Sequence, residues 1–116
     1  MKIYPDAFST KEDALASITA IGWHPLVREV KPERNEPHVH PFDSVIYVID
    51  GSMDFFDVDA GEFRRCGPGT RVEDFGANLH REDHNGYTAV VGFAQDPVEL
   101  FGDLLSAPPQ EQAGPA

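Results

Sequence analysis

The chain has 116 residues, 41% of them hydrophobic, which suits one compact domain. Nine Lys and Arg stand against 20 Asp and Glu, for a formal charge of −11. That argues against a nucleic-acid surface and disfavours an anionic-membrane one, since both are built on clustered cations. The longest apolar run, Val45 to Ile49, is too short to span a bilayer. The opening MKIYPDAFSTKED has no apolar core, so no export signal is expected. Cys66 is the single cysteine, so an intrachain disulfide is ruled out and a cytoplasmic location is expected.

Ser9 and Glu12 form a capping-box pattern, and Ala14, Leu15, Ile18 and Ile21 follow at helical spacing before Gly22. An amphipathic N-terminal helix is predicted over 10–21. Beyond Trp23 the pattern turns to strands. They are predicted over 26–30, 38–49, 53–58, 62–66, 70–75, 79–83 and 87–94, with a loop at 31–37. Asp50-Gly51 reads as a hairpin signal, and Gly67-Pro68-Gly69 and Asn85-Gly86 as further turns. Residues 97–105 (PVELFGDLL) predict a short C-terminal helix, and 106–116, rich in Pro, Ala and Gln, a disordered tail. Short strands punctuated by turns define an all-β domain over 1–105, a sandwich or small barrel with its core at about 26–94. Phe55, Phe56, Phe63, Phe75 and Phe93 are assigned mostly to that core.

The chemistry concentrates in the five histidines. On extended backbone, residues two apart share a face, so His38 and His40 project together. His80 opens a later strand, with Glu82 and His84 following on its own face. Three neutral imidazoles converging from two strands make a facial set for a divalent transition metal, with positions left open for substrate. Imidazole alone does not choose among such ions. The plainer alternatives are a solvated strand-end pair at 38 and 40, and a polar loop residue at 80. For Glu82 and His84 they are surface or hydrogen-bonded strand positions. His24 reads as structural or exposed, and Cys66 as a buried, idle thiol. Asp50, Asp54, Asp57 and Asp59 lack calcium-loop spacing and read as a solvated rim.

The order of these features resembles the cupin superfamily. His38-Val39-His40 matches the first motif, and Gly51 falls eleven residues after His40, where that motif ends. Gly67-Pro68-Gly69-Thr70 supplies the turn of the second motif, and Phe75-Gly76-Ala77-Asn78-Leu79-His80 its later half. The resemblance covers residues 26–94. It departs from the family pattern at Ser44, where the motif carries a glutamate, and at His84, where Asn is usual.

The resemblance implies a cupin-type antiparallel β-barrel of jelly-roll form, and homodimers are common among such proteins. It implies metal ligands His38, His40 and His80 for Fe, Zn, Ni or Mn. Ser44 lacks a carboxylate, and Asp43 beside it is expected to face outward unless a bulge re-aims it. Three neutral ligands would leave the 2+ charge unbalanced, bringing a zinc-bound water to a pKa of about 7 and favouring anionic substrates. Glu82 and His84 are the expected proton-transfer groups. The expected function is metal-dependent chemistry on a small oxygenated or anionic molecule: a dioxygenase first, an isomerase or hydrolase next. The alternative is a non-catalytic small-molecule binding or sensing module.

Overall fold

The computed structural model describes residues 2–75 and 78–102; the tail expected at 106–116 lies outside them. The elements, in chain order, are β1 (Lys2–Tyr4), α1 (Lys11–Ala20), β2 (His24–Val30), β3 (Glu33–Arg34), β4 (Ser44–Gly51), β5 (Met53–Asp57), β6 (Glu62–Cys66), β7 (Arg71–Asp74), β8 (His80–His84), β9 (Tyr87–Phe93) and α2 (Pro97–Phe101). Strands β1-β7-β4-β9-β2 form a five-stranded sheet, and β3-β8-β5-β6 a four-stranded one. All strand pairs are antiparallel. The two sheets face each other as a jelly roll, without closing into a continuous barrel.

The connections make the jelly roll. Among the described residues only β5 and β6 form a hairpin within one sheet; the joins β2–β3, β3–β4, β4–β5, β6–β7, β7–β8 and β8–β9 each pass from one sheet to the other. Asp50-Gly51 is therefore a corner rather than the expected hairpin. Gly51 has φ 77°, and a Cβ there would meet the carbonyl oxygen of Gly86 at 2.7 Å. Two corners abut at that point, and only glycine fits both the angle and the space.

Between the sheets lies the main core: Val30, Phe42, Ile46, Val48, Met53, Phe55, Val72, Val91 and Phe93 among others. The five-stranded sheet is covered outside by α1. Ala14 and Ile18, one helical turn apart, bury against Val45, Tyr47 and Val90. A Cβ on Gly92 would meet both Ile18 and Val45 at 2.9 Å, so its absence sets how closely the helix lies on the sheet. β4 is thus apolar on both faces, as its sequence indicated. Phe63 and Phe75 are exposed at 57% and 45%, and Phe56 lies on the outer side under the Arg81 guanidinium. Those three leave the core to which the sequence assigned them: among the described residues no helix covers the four-stranded sheet that carries Phe56 and Phe63, and Phe75 lies just past the end of β7.

Other expectations shift locally. The N-cap is Thr10, whose hydroxyl accepts from the Asp13 N–H while Asp13 accepts from the Thr10 N–H. The capping box is therefore one residue later than the Ser9–Glu12 pairing. The loop at 31–37 contains the two residues of β3. The strand expected over 38–49 begins only at Ser44. Residues 38–43 are the passage from the four-stranded to the five-stranded sheet, and Pro41 within it has no N–H to give a ladder.

Candidate metal centre

That passage positions the histidines. His38 makes an isolated antiparallel bridge to His80, with backbone hydrogen bonds of 2.8 and 3.0 Å in the two directions. His40, two residues on, is 5% exposed and reaches β7 of the opposite sheet. The histidine pair therefore straddles the gap between the sheets, and His80 faces it from the start of β8. Ring centroids are 4.9 Å apart for His38–His40, 4.6 Å for His38–His80 and 5.0 Å for His40–His80. One ligand nitrogen from each of the three lies within 4.8 Å of the others.

Hydrogen bonds at the back of each ring fix which nitrogen is offered. Nδ1 of His38 donates to the Glu36 carbonyl at 2.8 Å, and Nδ1 of His80 to the Asn78 carbonyl at 2.9 Å. Nδ1 of His40 donates to Asp74 Oδ2 at 2.8 Å. Oxygen acceptors at Nδ1 place the proton there and leave the lone pair on Nε2. Nε2 of both His38 and His40 is buried with no hydrogen-bond partner. Burial lowers the pKa of His80, its largest influence, which favours the neutral ring a metal needs. Buried polar atoms are ordinarily satisfied, so orphaned lone pairs on converging rings fit a divalent cation. Phe55 stacks on His80 at 4.8 Å, and Phe42 lies 5.1 Å from His40, giving the cluster an apolar wall.

Asp74 was not among the residues singled out from the sequence. It closes β7, is 1% exposed, and stands opposite Ser44 in the β4–β7 ladder. The sequence trace of it is slight: in Arg71-Val72-Glu73-Asp74 the alternation that buries Val72 also buries Asp74. Its carboxylate lies behind the His40 ring, at Nδ1. Ser44 is buried and Asp43 is exposed, the latter as expected.

Glu82 and His84 share the inward face of β8 with His80. Neither belongs to the three-nitrogen cluster. Glu82 accepts from the Tyr87 hydroxyl at 3.2 Å, and burial, the largest influence, pushes its carboxyl up to about 8. His84 lies farther along, about 13 Å from His80 at 3.3 Å per strand residue. Its Nδ1 accepts from the Gly86 N–H at 3.0 Å, and its ring meets Tyr87 edge-on at 4.8 Å. Burial lowers its pKa. A cavity of about 460 Å³, lined by Arg34, Asp54, Arg65, Asp83 and His84 among others, lies at that end of β8, away from the histidine cluster.

No family model matches the chain, and no curated protein matches it. Several solved structures share its fold. A DUF861 family protein from Thermotoga maritima aligns at 15% identity over 79% of this chain and 97% of that one, with TM-score 0.58. An RmlC-like cupin from Shewanella frigidimarina aligns at 16% identity over 66% and 70%, with TM-score 0.50. The polyketide cyclase RemF from Streptomyces resistomycificus aligns at 24% identity over 63% of this chain and 56% of its own, with TM-score 0.51. The chain thus spans little more than half of the cyclase. At such identities the likeness is one of fold, and the fold is that of a cupin. Among the described residues no helix is long and apolar enough to cross a membrane.

Proposed function

We propose that the protein is a metal-binding cupin that acts on a small oxygenated or anionic molecule. The observation that carries this reading is the set of three Nε2 positions turned inward by hydrogen bonds at every Nδ1. His38, His40 and His80 would hold Fe, Zn, Ni or Mn, and the bound ion would supply Lewis acidity or, if iron, a site for O2. Phe42 and Phe55 keep water from the rings. Glu82, the next inward residue on β8, is the proposed proton-transfer group, oriented by the Tyr87 hydroxyl. His84, which packs edge-on against Tyr87, is the alternative proton-transfer group. Dioxygenase chemistry is the first class to test, then isomerase or hydrolase. The solved neighbour named as a polyketide cyclase shows that this fold carries enzymes.

A second reading, a binding or sensing module without turnover, is favoured by the burial of Nε2 on His38 and His40. Elemental analysis of untagged protein, followed by oxygen uptake with a panel of diketones, hydroxy acids and thiols, separates the two. The first reading expects one ion per chain and turnover that disappears in His80→Ala. Ligand binding that survives chelation, without turnover, supports the second. No bound ion after loading contradicts the first.

We further propose a cytoplasmic location, supported by the free, buried Cys66, and a homodimer formed along an outer strand edge such as that of β2. Light scattering of the purified protein tests the latter: twice the chain mass is expected, and the mass of a single chain contradicts it.

A further inference from the structure

The buried carboxylate of Asp74 has a strange set of partners for a group removed from water. Oδ2 accepts one N–H, from His40, and lies 4.0 Å from His80 Nε2. Oδ1 is buried and meets no donor. Among the described residues no Lys or Arg forms an ion pair with it; His40 and His80 alone approach within 4.0 Å. A buried carboxylate with one imidazole donor and one orphaned oxygen is poorly compensated, and a nearby cation would compensate it. The same two imidazoles belong to the candidate ligand set, so a cation held there would also face this carboxylate.

We propose that Asp74 is the charge-balancing and positioning carboxylate of this metal centre. One oxygen locks His40 with Nε2 forward. The charge of the carboxylate offsets one unit of the 2+ ion, leaving the centre with a net charge of about +1. Asp74 thereby does from β7 what β4 cannot do from Ser44, its cross-strand partner. A +1 centre suits a monoanionic ligand, such as a single enolate or carboxylate, better than a dianion. The inference rests on reading the histidine cluster as a metal site.

The test is a Co2+ titration, followed by visible absorption, of the wild-type protein and Asp74→Asn. Asparagine keeps the shape and can still accept from His40 Nδ1, so only the charge is lost. Binding 10- to 100-fold weaker, with an altered Co2+ spectrum, is expected for the variant. Affinity within twofold and an unchanged spectrum would overturn the role of Asp74 while leaving the metal site standing. No Co2+ spectrum in the wild-type protein overturns the metal reading and this inference with it. Should Asp74→Asn not fold, long-range 1H–15N NMR of the metal-free wild-type protein decides. His40 protonated at Nδ1 and bare at Nε2 supports the proposal, and the opposite tautomer overturns it.

Discussion

Asp74 and His40 face each other across the jelly roll, Oδ2 to Nδ1, at 2.8 Å. The bond joins β7 to the passage between sheets, a segment anchored to the other sheet by the bridge between His38 and His80. The site is therefore built where the sheets are tied together, and it inherits rigidity from both.

This placement predicts different behaviour for the most and the least buried histidines of the cluster. His80 is 1% exposed and stacked on Phe55, whereas His38 is only partly buried. Both His38→Ala and His80→Ala should abolish tight metal binding, because each removes one of three ligands. His80→Ala should also lower the melting temperature of the metal-free protein, through the cavity it leaves beside Phe55. His38→Ala should melt within a degree or two of the wild type. Calorimetry with and without metal checks both; equal melting losses would contradict the burial difference.

Gly92 sets the separation between α1 and the sheet. Gly92→Ala forces a Cβ to within 2.9 Å of Ile18 and Val45, and the helix must lift. A loss of about 1–3 kcal/mol is expected by denaturant titration. A neutral effect would mean that the helix is loosely held.

Much of this was readable in the sequence, and the omissions have physical causes. The helix declared itself through Ala14 and Ile18, and β4 through apolar residues on both faces. The three histidines were legible because extended backbone puts 38 and 40 on one side and because glycine turns bracket His80. Residues 38–43 were misread as strand because alternation marks extended backbone, whether or not a ladder forms. Asp50-Gly51 looked like a hairpin because a corner between sheets needs the same positive φ. Strands β1 and β3 are too short to carry a period. Asp74 was invisible because its partner, His40, is distant in the chain and met only through the fold.

Thr10 caps α1 through the reciprocal bonds with Asp13. Thr10→Ala should cost about 1 kcal/mol, measured by urea unfolding. Ser9→Ala should be neutral, which distinguishes the observed cap from the earlier candidate.

Cys66 is fully buried in the main core, and burial raises its pKa from 9.0 to about 11. A folded-state pKa above the unfolded value contributes stability that is complete below pH 9 and is lost as pH rises through about 11. The native thiol should react with a disulfide reagent at pH 8 at least ~100-fold more slowly than in urea. Rapid native labelling would place Cys66 nearer the surface than the fold does.

The most direct test of the central claim is anomalous diffraction from crystals of the zinc-loaded protein. A single peak is expected about 2.0–2.1 Å from Nε2 of each of His38, His40 and His80. A saturated crystal with no density between those rings, or with its ion held elsewhere, would contradict it.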